Sequence, residues 1–468
     1  MNGNGSAAKE LARLLGESNV KTGARAVAAC FTTPLDGADL VLVTPGDVDG
    51  LSDVAAFSYE NEIPLFSVKR RTDAGNLAGK KGILVDLSRM NKIKKIDVRN
   101  LTANVYAGVT FEQLAAELAK ENQRVLYPLA GTSPYLVRSY MDRDILMGEG
   151  GYRHPHISVF HAMMADGQMW VSGSQQLTDE GHADFREDQG PQFSPFFGAS
   201  EDIFGIPYYG LVYTYPNREE RRLVAFGFDN LAAAKDLLYK VSRAEWCFES
   251  FAANDRYLSV ILAGGDAGAV APMKKKLNPW TAVFTMEHYK DLVDVWERYI
   301  KEAAKDMGGK LLKGQVPEMC EKALQGPWNV YDRDYFKGRT ETVDCYNYFK
   351  NVGDTFGSID EQAASAGLKE ADLGKIVVPV YFGASAYCEA DFYYDPADES
   401  AAGSVDNACL KSYEALIDAK AFIDRPRGRV AEMLYARMDP SYLNMIKLFK
   451  RTVDPKGLLN PDQLLEGV

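Results

Sequence analysis

Residues 387–393 read Tyr-Cys-Glu-Ala-Asp-Phe-Tyr. In an extended strand this alternation sets Tyr387, Glu389, Asp391 and Tyr393 on one face. Two carboxylates flanked by two phenols can form a wall that relays protons. The same four side chains also suit a solvated sheet face, and that is the simpler expectation. A second set is Arg425, Arg427 and Arg429, a tight basic group ahead of a helical segment. A guanidinium such as Arg425 can hold a carboxylate bidentately. A third set is the loop from Lys69 to Gly79, rich in small residues and led by Lys69, Arg70 and Arg71. Consecutive backbone N–H groups in such a loop can converge on a pyrophosphate, and the three cations add positive charge. No helix starts directly after its glycines, so it is not the Rossmann fingerprint. His154 and His156 flank Pro155 and would share one strand face, but no further ligand follows at a recognisable spacing, so no metal site is assigned.

These residues need elements to position them. Asp39–Pro45, Val48–Glu60 and Leu65–Val68 read as strand, helix and strand, with Ile83–Leu87 as the next strand, a βαβ unit. A second unit opens with a strand at Leu101–Ala107 and a helix from Phe111, which Thr110 can cap. Ile157–Ala165 and Gln168–Val171 flank Asp166-Gly167, a hairpin signal. Beyond Pro216 the pattern changes. Strands are expected at Leu223–Phe228, Tyr257–Leu262, Trp280–Phe284, Ile376–Phe382 and Glu389–Tyr394. Helices are expected at Leu231–Val241, Glu287–Ala304, Cys409–Ile423 and Tyr442–Arg451. Lys305–Lys313 and Gly353–Gly367 read as surface loops.

The chain has 468 residues, enough for two or three domains, and a formal charge of −12, which argues against a nucleic-acid partner. No apolar run is long enough to span a bilayer, and Met1–Ser6 lacks the order of a signal peptide. Six cysteines lie far apart with no CxxC spacing, as expected of buried free thiols in a reducing cytoplasm.

The tail Asp454-Pro455-Lys456-Gly457-Leu458-Leu459-Asn460-Pro461 resembles the closing "DPxGxLNP" segment of the vanillyl-alcohol oxidase superfamily, which includes the PCMH-type FAD-linked oxidoreductases. Val85–Ile93 resembles its "D-L-S-x-M-N-x-I" segment, and the preceding loop its FAD pyrophosphate loop. Val105–Leu114 resembles "V-x-x-G-v-x-w-x-x-L", and Phe197–Ile206 resembles "f-x-G-S-E-G-t-l-G-I". The order of these segments spans nearly the whole chain. The resemblance implies an α+β fold: a two-subdomain PCMH-type FAD-binding domain over 1–218, split near 100, then an α+β cap domain with an antiparallel sheet over 219–425. Residues 426–468 would return to the first domain.

The resemblance also implies site residues. FAD, bound non-covalently because the first loop has no His or Cys, would meet Arg71, Thr72, Asp73, Ala74, Gly75, Asn76 and Gly79. Gly131 and Thr132 would serve from the second subdomain. Ser200, Glu201, Gly205 and Ile206 would lie near the flavin ring, with Asn460 in the tail. Glu389, Tyr387, Arg425 and Tyr442 would reach the substrate. The chain departs from the pattern at several points. Thr72 and Ala74 stand where glycines are expected, the stretch Tyr127–Tyr135 lacks a Gly-Gly pair, and Asp202 replaces the last glycine of "GSEG". A side chain at a position needing φ > 0 costs roughly 1–2 kcal/mol. Asp424-Arg425 replaces the "Y-R" pair of phenol-oxidising relatives, and the "H-G-D-G-x-x-H" cluster of the 2-hydroxyacid branch is missing. Two readings follow. One is an FAD-dependent dehydrogenase or oxidase, taking a hydride from an alcohol or activated C–H substrate for an acceptor or partner subunit. The other is a paralogous subunit that has lost the flavin and serves a heteromeric oxidoreductase. Either is expected to be cytoplasmic and oligomeric.

Overall fold

A computed structural model describes residues 3–23, 27, 38–68, 77–129, 131, 133–145, 156–177, 185–325 and 332–464. The first layer holds α1 (Gly3–Leu15), β1 (Val20–Lys21), β2 (Asp39–Val43), α2 (Val48–Glu60), β3 (Leu65–Ser67) and β4 (Lys81–Val85). The sheet order is β1-β2-β4-β3, with β2, β4 and β3 parallel. Asp47 caps α2 by accepting from the Gly50 N–H. The edge of β3 is not left open. Leu65 N–H donates to Leu458 O and Asn460 N–H to Leu65 O, each at 2.8 Å, so residues 458–460 extend the sheet.

The second layer holds β5 (Ile93–Asp97), β6 (Thr102–Tyr106), α3 (Phe111–Ala119), β7 (Gln123–Arg124), α4 (Leu136–Met141), β8 (Ile157–Met163), β9 (Met169–Val171), β10 (Ile206–Tyr213) and β11 (Tyr215–Pro216). Five of its strands form an antiparallel sheet in the order β5-β6-β10-β8-β9, while β11 pairs with β7. Thr110 caps α3 from the Gln113 N–H. Gly108 docks this layer on the first: a Cβ there would lie 2.4 Å from Leu87 O. Only glycine allows that approach.

The remaining elements are β12 (Glu220–Phe228), α5 (Leu231–Arg243), β13 (Glu249–Asn254), α6 (Asp255–Leu262), α7 (Ala267–Lys274), β14 (Trp280–His288), α8 (Lys290–Asp306), β15 (Lys310–Leu311), α9 (Gln315–Gln325), α10 (Asp332–Lys337), β16 (Arg339–Tyr348), α11 (Val352–Ser365), β17 (Gly374–Val380), β18 (Ser385–Tyr394), α12 (Glu399–Asp418), α13 (Gly428–Tyr435) and α14 (Pro440–Val453). One antiparallel seven-stranded sheet runs β15-β12-β14-β13-β17-β18-β16. Its outer face packs under α5, α8, α11 and α12. Its inner face meets α6 and α9 and, from the second layer, Leu129 and Ile145. A buried ion cluster also clamps the layers, with Arg124 of β7 on Glu287 of β14 and Arg221 bridging Glu287, Glu249 and Glu321.

Three expectations fail locally. Tyr257–Leu262 is not a strand but the body of α6. Asn254 caps it, and its apolar residues fill the space beneath β13 and β17. Gly353–Gly367 is not a loop but mostly α11, whose buried Val352, Thr355, Phe356, Ile359 and Ala363 keep helical spacing despite two interior glycines. The helix expected from Cys409 starts at Glu399, capped by Asp398. The fold class itself is as expected: α+β, with an antiparallel sheet in the cap. Among the described residues, no helix is long and apolar enough to cross a membrane.

Candidate functional site

The segment 198–206 joins α4, β3 and the tail. Its backbone is left-handed at Ala199 (φ 53°), Glu201 (φ 55°) and Asp202 (φ 54°). Ala199 and Asp202 stand where the motif would carry glycines, so the glycine conformation survives without glycine, at a cost of about 1–2 kcal/mol each. Gly205 is kept for a different reason: a Cβ there would lie 2.9 Å from Phe197. Ser200 is buried and donates to Phe197 O, and Ile206 opens β10. Glu201 is buried with Arg427 3.5 Å away.

Asp202 is fully buried, and its negative charge is met. Arg138 of α4 donates to its Oδ2 and, through the other terminal nitrogen, to Asp142. Ser67 Oγ, at the end of β3, donates to the same Oδ2 at 2.8 Å. Asn460 accepts from the Ser67 N–H at 3.0 Å and donates to Asp202 O at 3.2 Å. The tail is anchored beside them by the buried Lys450, which donates to Ile203 O, Leu459 O and Asp454. These groups gather at the carboxyl end of the parallel strand β3, where ligands of open α/β sheets bind. Asp202 Oδ1 and Arg138 Nε remain buried without a hydrogen-bond partner. Each such atom costs about 1–3 kcal/mol unless a ligand or water meets it.

The second locus is the inner face of the seven-stranded sheet. Tyr387, Glu389, Asp391 and Tyr393 do share a face, as the alternation predicts, but that face is buried rather than solvated. Arg333 of α10 bridges Glu389 (2.8 Å) and Asp391 (3.0 Å). Tyr387 OH donates to Glu389 Oε2 at 2.5 Å and lies 3.4 Å from Asp344 Oδ2. Thr342 and Tyr393 donate to Asp391, and Tyr413 to Asp344. Burial, with Asp391 nearby, pushes Glu389 up to about 7 even though Arg333 opposes it. Burial also keeps the Tyr387 phenol well above its ordinary range. Asp344 is held low: burial opposes ionisation there, but Arg425 and Tyr413 outweigh it.

Arg425 joins this network rather than standing free. It donates to Asp144 of the second layer and Asp344 of the cap, both at 2.9 Å. Arg143 meets Asp424 at 3.0 Å, so Arg143-Asp144 and Asp424-Arg425 pair reciprocally across the layers. A substrate carboxylate would have to displace one of these partners to reach Arg425. Tyr442 is not brought to this face; it is half-exposed on the first turn of α14, with its ring 6.4 Å from that of Tyr435. Gly79 sits in an exposed turn with φ 69°, and Gly131 is buried. Arg71, Thr72, Asp73, Ala74, Gly75, Asn76 and Thr132 lie outside the described residues, as does His154. His156 Nδ1 is 3.3 Å from the Tyr215 hydroxyl.

Sequence reasoning missed Arg138, Asp144, Arg333, Asp344 and Tyr413. The alternation Thr342, Asp344, Tyr346 mirrors that of residues 387–393 and was a usable signal for Asp344. Arg333 had none, since α10 sits beside β18 only through the tertiary fold.

Comparison with known proteins agrees with this architecture. Residues 40–167 match the FAD binding domain family. The structure of p-cresol methylhydroxylase with substrate bound superposes with a TM-score of 0.85 at 16% identity, covering 100% of this chain and 98% of that one. The 4-ethylphenol oxidase of Gulosibacter chungangensis, in its isoeugenol complex, gives 0.83 at 16% identity, covering 99% and 98%. An alkyldihydroxyacetonephosphate synthase gives 0.71 at 13% identity, covering 97% and 84%. No curated protein sequence matches the chain. The chain shares the overall fold of these structures, and its residues 40–167 carry the FAD binding domain. The described residues fit that cofactor. The left-handed backbone at 199–202 keeps the expected loop shape, Arg138 offsets the charge of Asp202, and the unmet buried donor and acceptor lie where the parallel strands end.

Proposed function

We propose that the chain is an FAD-dependent oxidoreductase acting on an alcohol or activated C–H substrate. One observation carries the reading: a buried carboxylate–phenol relay lies on the face of the cap sheet that packs against the FAD-binding domain. The cofactor would be held by the loop 69–79, by Gly131, by Ser200, Glu201, Gly205 and Ile206, and by Asn460. When bound, FAD supplies the acceptor for a hydride, that is two electrons and one proton, which the protein side chains do not provide.

Oxidation of such a substrate also releases a proton, and the chain offers a route for it. Tyr387 has one hydroxyl proton and two carboxylate neighbours, Glu389 and Asp344. When a proton reaches Asp344 it can pass through the Tyr387 hydroxyl to Glu389. Glu389, titrating at about 7, is the member that holds it near neutral pH. Tyr387 stays a neutral carrier because burial disfavours its phenolate. Arg425 keeps Asp344 ionised and ready to accept. Arg333 keeps Glu389 from rising beyond use. Around them Tyr346, Val378, Val380, Leu129 and Ile145 exclude water.

The two most similar folds named above carry p-cresol and 4-ethylphenol in their names, both with an activated C–H beside a ring. That supports an activated C–H over a simple aliphatic alcohol. Electrons would then pass to an acceptor or a partner subunit. The visible spectrum of the purified protein, followed by anaerobic bleaching with a panel of benzylic and aliphatic substrates, tests the reading. Near-stoichiometric flavin that a substrate bleaches supports it. A colourless protein that FAD does not reconstitute overturns it in favour of a flavin-free partner subunit.

A further inference from the structure

Glu389 and Asp391 are neighbours on one buried face of β18, yet donors reach them unequally. Asp391 Oδ1 accepts from Thr342 Oγ1 at 2.8 Å, across the β16–β18 register. Its Oδ2 accepts from the Tyr393 hydroxyl at 3.1 Å. Arg333 Nη1 reaches the same two oxygens at 3.0 and 3.2 Å. A carboxylate offers about four acceptor sites, and those of Asp391 are filled. Among the described residues, Glu389 takes Arg333 on Oε1 at 2.8 Å and Tyr387 on Oε2 at 2.5 Å. The Tyr257 hydroxyl of α6 also turns to Glu389. That set leaves Glu389 with an open site for a proton.

We infer that Asp391 is a positioning residue for the relay: with its own acceptor sites filled, it keeps a negative charge beside Glu389 and directs the relayed proton onto that carboxylate. Only O–H bonds change in the step. Tyr387 gives its proton to Glu389 and regains one from Asp344. A like charge beside a carboxylate favours its protonated form. Burial raises Glu389, Arg333 opposes the rise and Asp391 adds to it. The remaining titratable groups near the pair are Asp344 of β16, Asp334 of α10 and Cys409 of α12. On its other side, β17 sets Ile376 and Gly374 opposite the pair, neither of them charged.

This role rests on the relay proposed above. The test is the pH midpoint of substrate-driven flavin reduction in two variants. Asp391→Asn removes the neighbouring charge and should move the midpoint down from about 7 by about one pH unit. Thr342→Val, close in shape, keeps the charge but opens a site on Asp391 to the proton. It should move the midpoint up by about half a unit. A residue that merely supports the fold would slow reduction or lower the melting temperature without opposite shifts. Unmoved midpoints, or shifts in one direction, overturn the role of Asp391 and leave the FAD reading standing. Should Asp391→Asn fail to fold, the direction of the Thr342→Val shift decides. Urea unfolding of the flavin-free chain against pH reads the same charges. Stability from Glu389 is lost as pH rises through its folded value, so that window should move down in D391N and up in T342V. Those shifts in a chain that binds no FAD would overturn the oxidoreductase reading and leave the division of charge between Glu389 and Asp391 standing.

Discussion

The segment around Asp202 and the inner face of the cap sheet solve the same problem in opposite ways. Both bury carboxylates beside arginines. Around Asp202 the backbone is strained and one cation answers one carboxylate. Ala199 and Asp202 take left-handed conformations that glycine would adopt freely, and Arg138 meets the charge of Asp202. On the cap face the local alternation groups only part of the network. Asp144, Asp344, Glu389, Asp391, Arg333 and Arg425 come from five separate stretches of chain, and only the assembled layers bring them together. The first site needs one distant cation to offset one carboxylate; the second needs several stretches of chain to meet at once.

That contrast predicts a hierarchy of effects. Glu389→Gln should slow substrate-driven flavin reduction by about 10²–10⁴-fold, the range for loss of a general base. Stopped-flow bleaching at saturating substrate measures it, and a loss below tenfold would remove Glu389 from the chemistry. Arg333→Met leaves Glu389 and Asp391 buried without their cation and should cost about 3–5 kcal/mol by urea unfolding. Gly205→Ala should cost about 1–3 kcal/mol because its methyl meets Phe197, which is itself packed against Trp170. Ala199→Gly, by contrast, should stabilise by up to about 1 kcal/mol by relieving the left-handed backbone. Strong destabilisation by Ala199→Gly would contradict strain at this position.

The linkage of Glu389 gives a further test with a definite sign. Its pKa in the folded chain is raised from an ordinary 4.5 to about 7, so the folded state binds more protons in that window. Its contribution to stability is therefore complete below about 4.5 and is lost as pH rises through about 7. Glu389→Gln, which cannot ionise, should flatten this slope in denaturation curves taken from acid to neutral pH.

The same contrast sets what could be read from the sequence. The first two layers were legible because β2, α2, β3 and β4 follow a clean βαβ pattern and Thr110 caps its helix as expected. Segment 197–206 was legible as a motif, but the effect of Asp202 was not. The sequence shows an added charge near a cofactor loop, whereas the neutralising Arg138 lies 64 residues away. On the cap, the alternation in 387–393 correctly grouped four side chains. Periodicity alone could not say whether that face meets water or Leu129 and Ile145. Arg425 was picked out as a cation, yet its carboxylate partners sit 281 residues before it and 81 before it. Glycine content hid α11, and β-branched content disguised α6, because burial of one face outweighed local preference in both.

The most direct test is the pH dependence of anaerobic flavin reduction, measured in parallel for the unaltered chain and Glu389→Gln with the same bleaching substrate. Proton transfer through Glu389 gives a rate that rises through a single ionisation near 7 in the unaltered chain and levels off above it, with that ionisation absent in the variant. The same rise in both proteins would contradict it, and the proton would have to leave by a route that avoids the cap sheet.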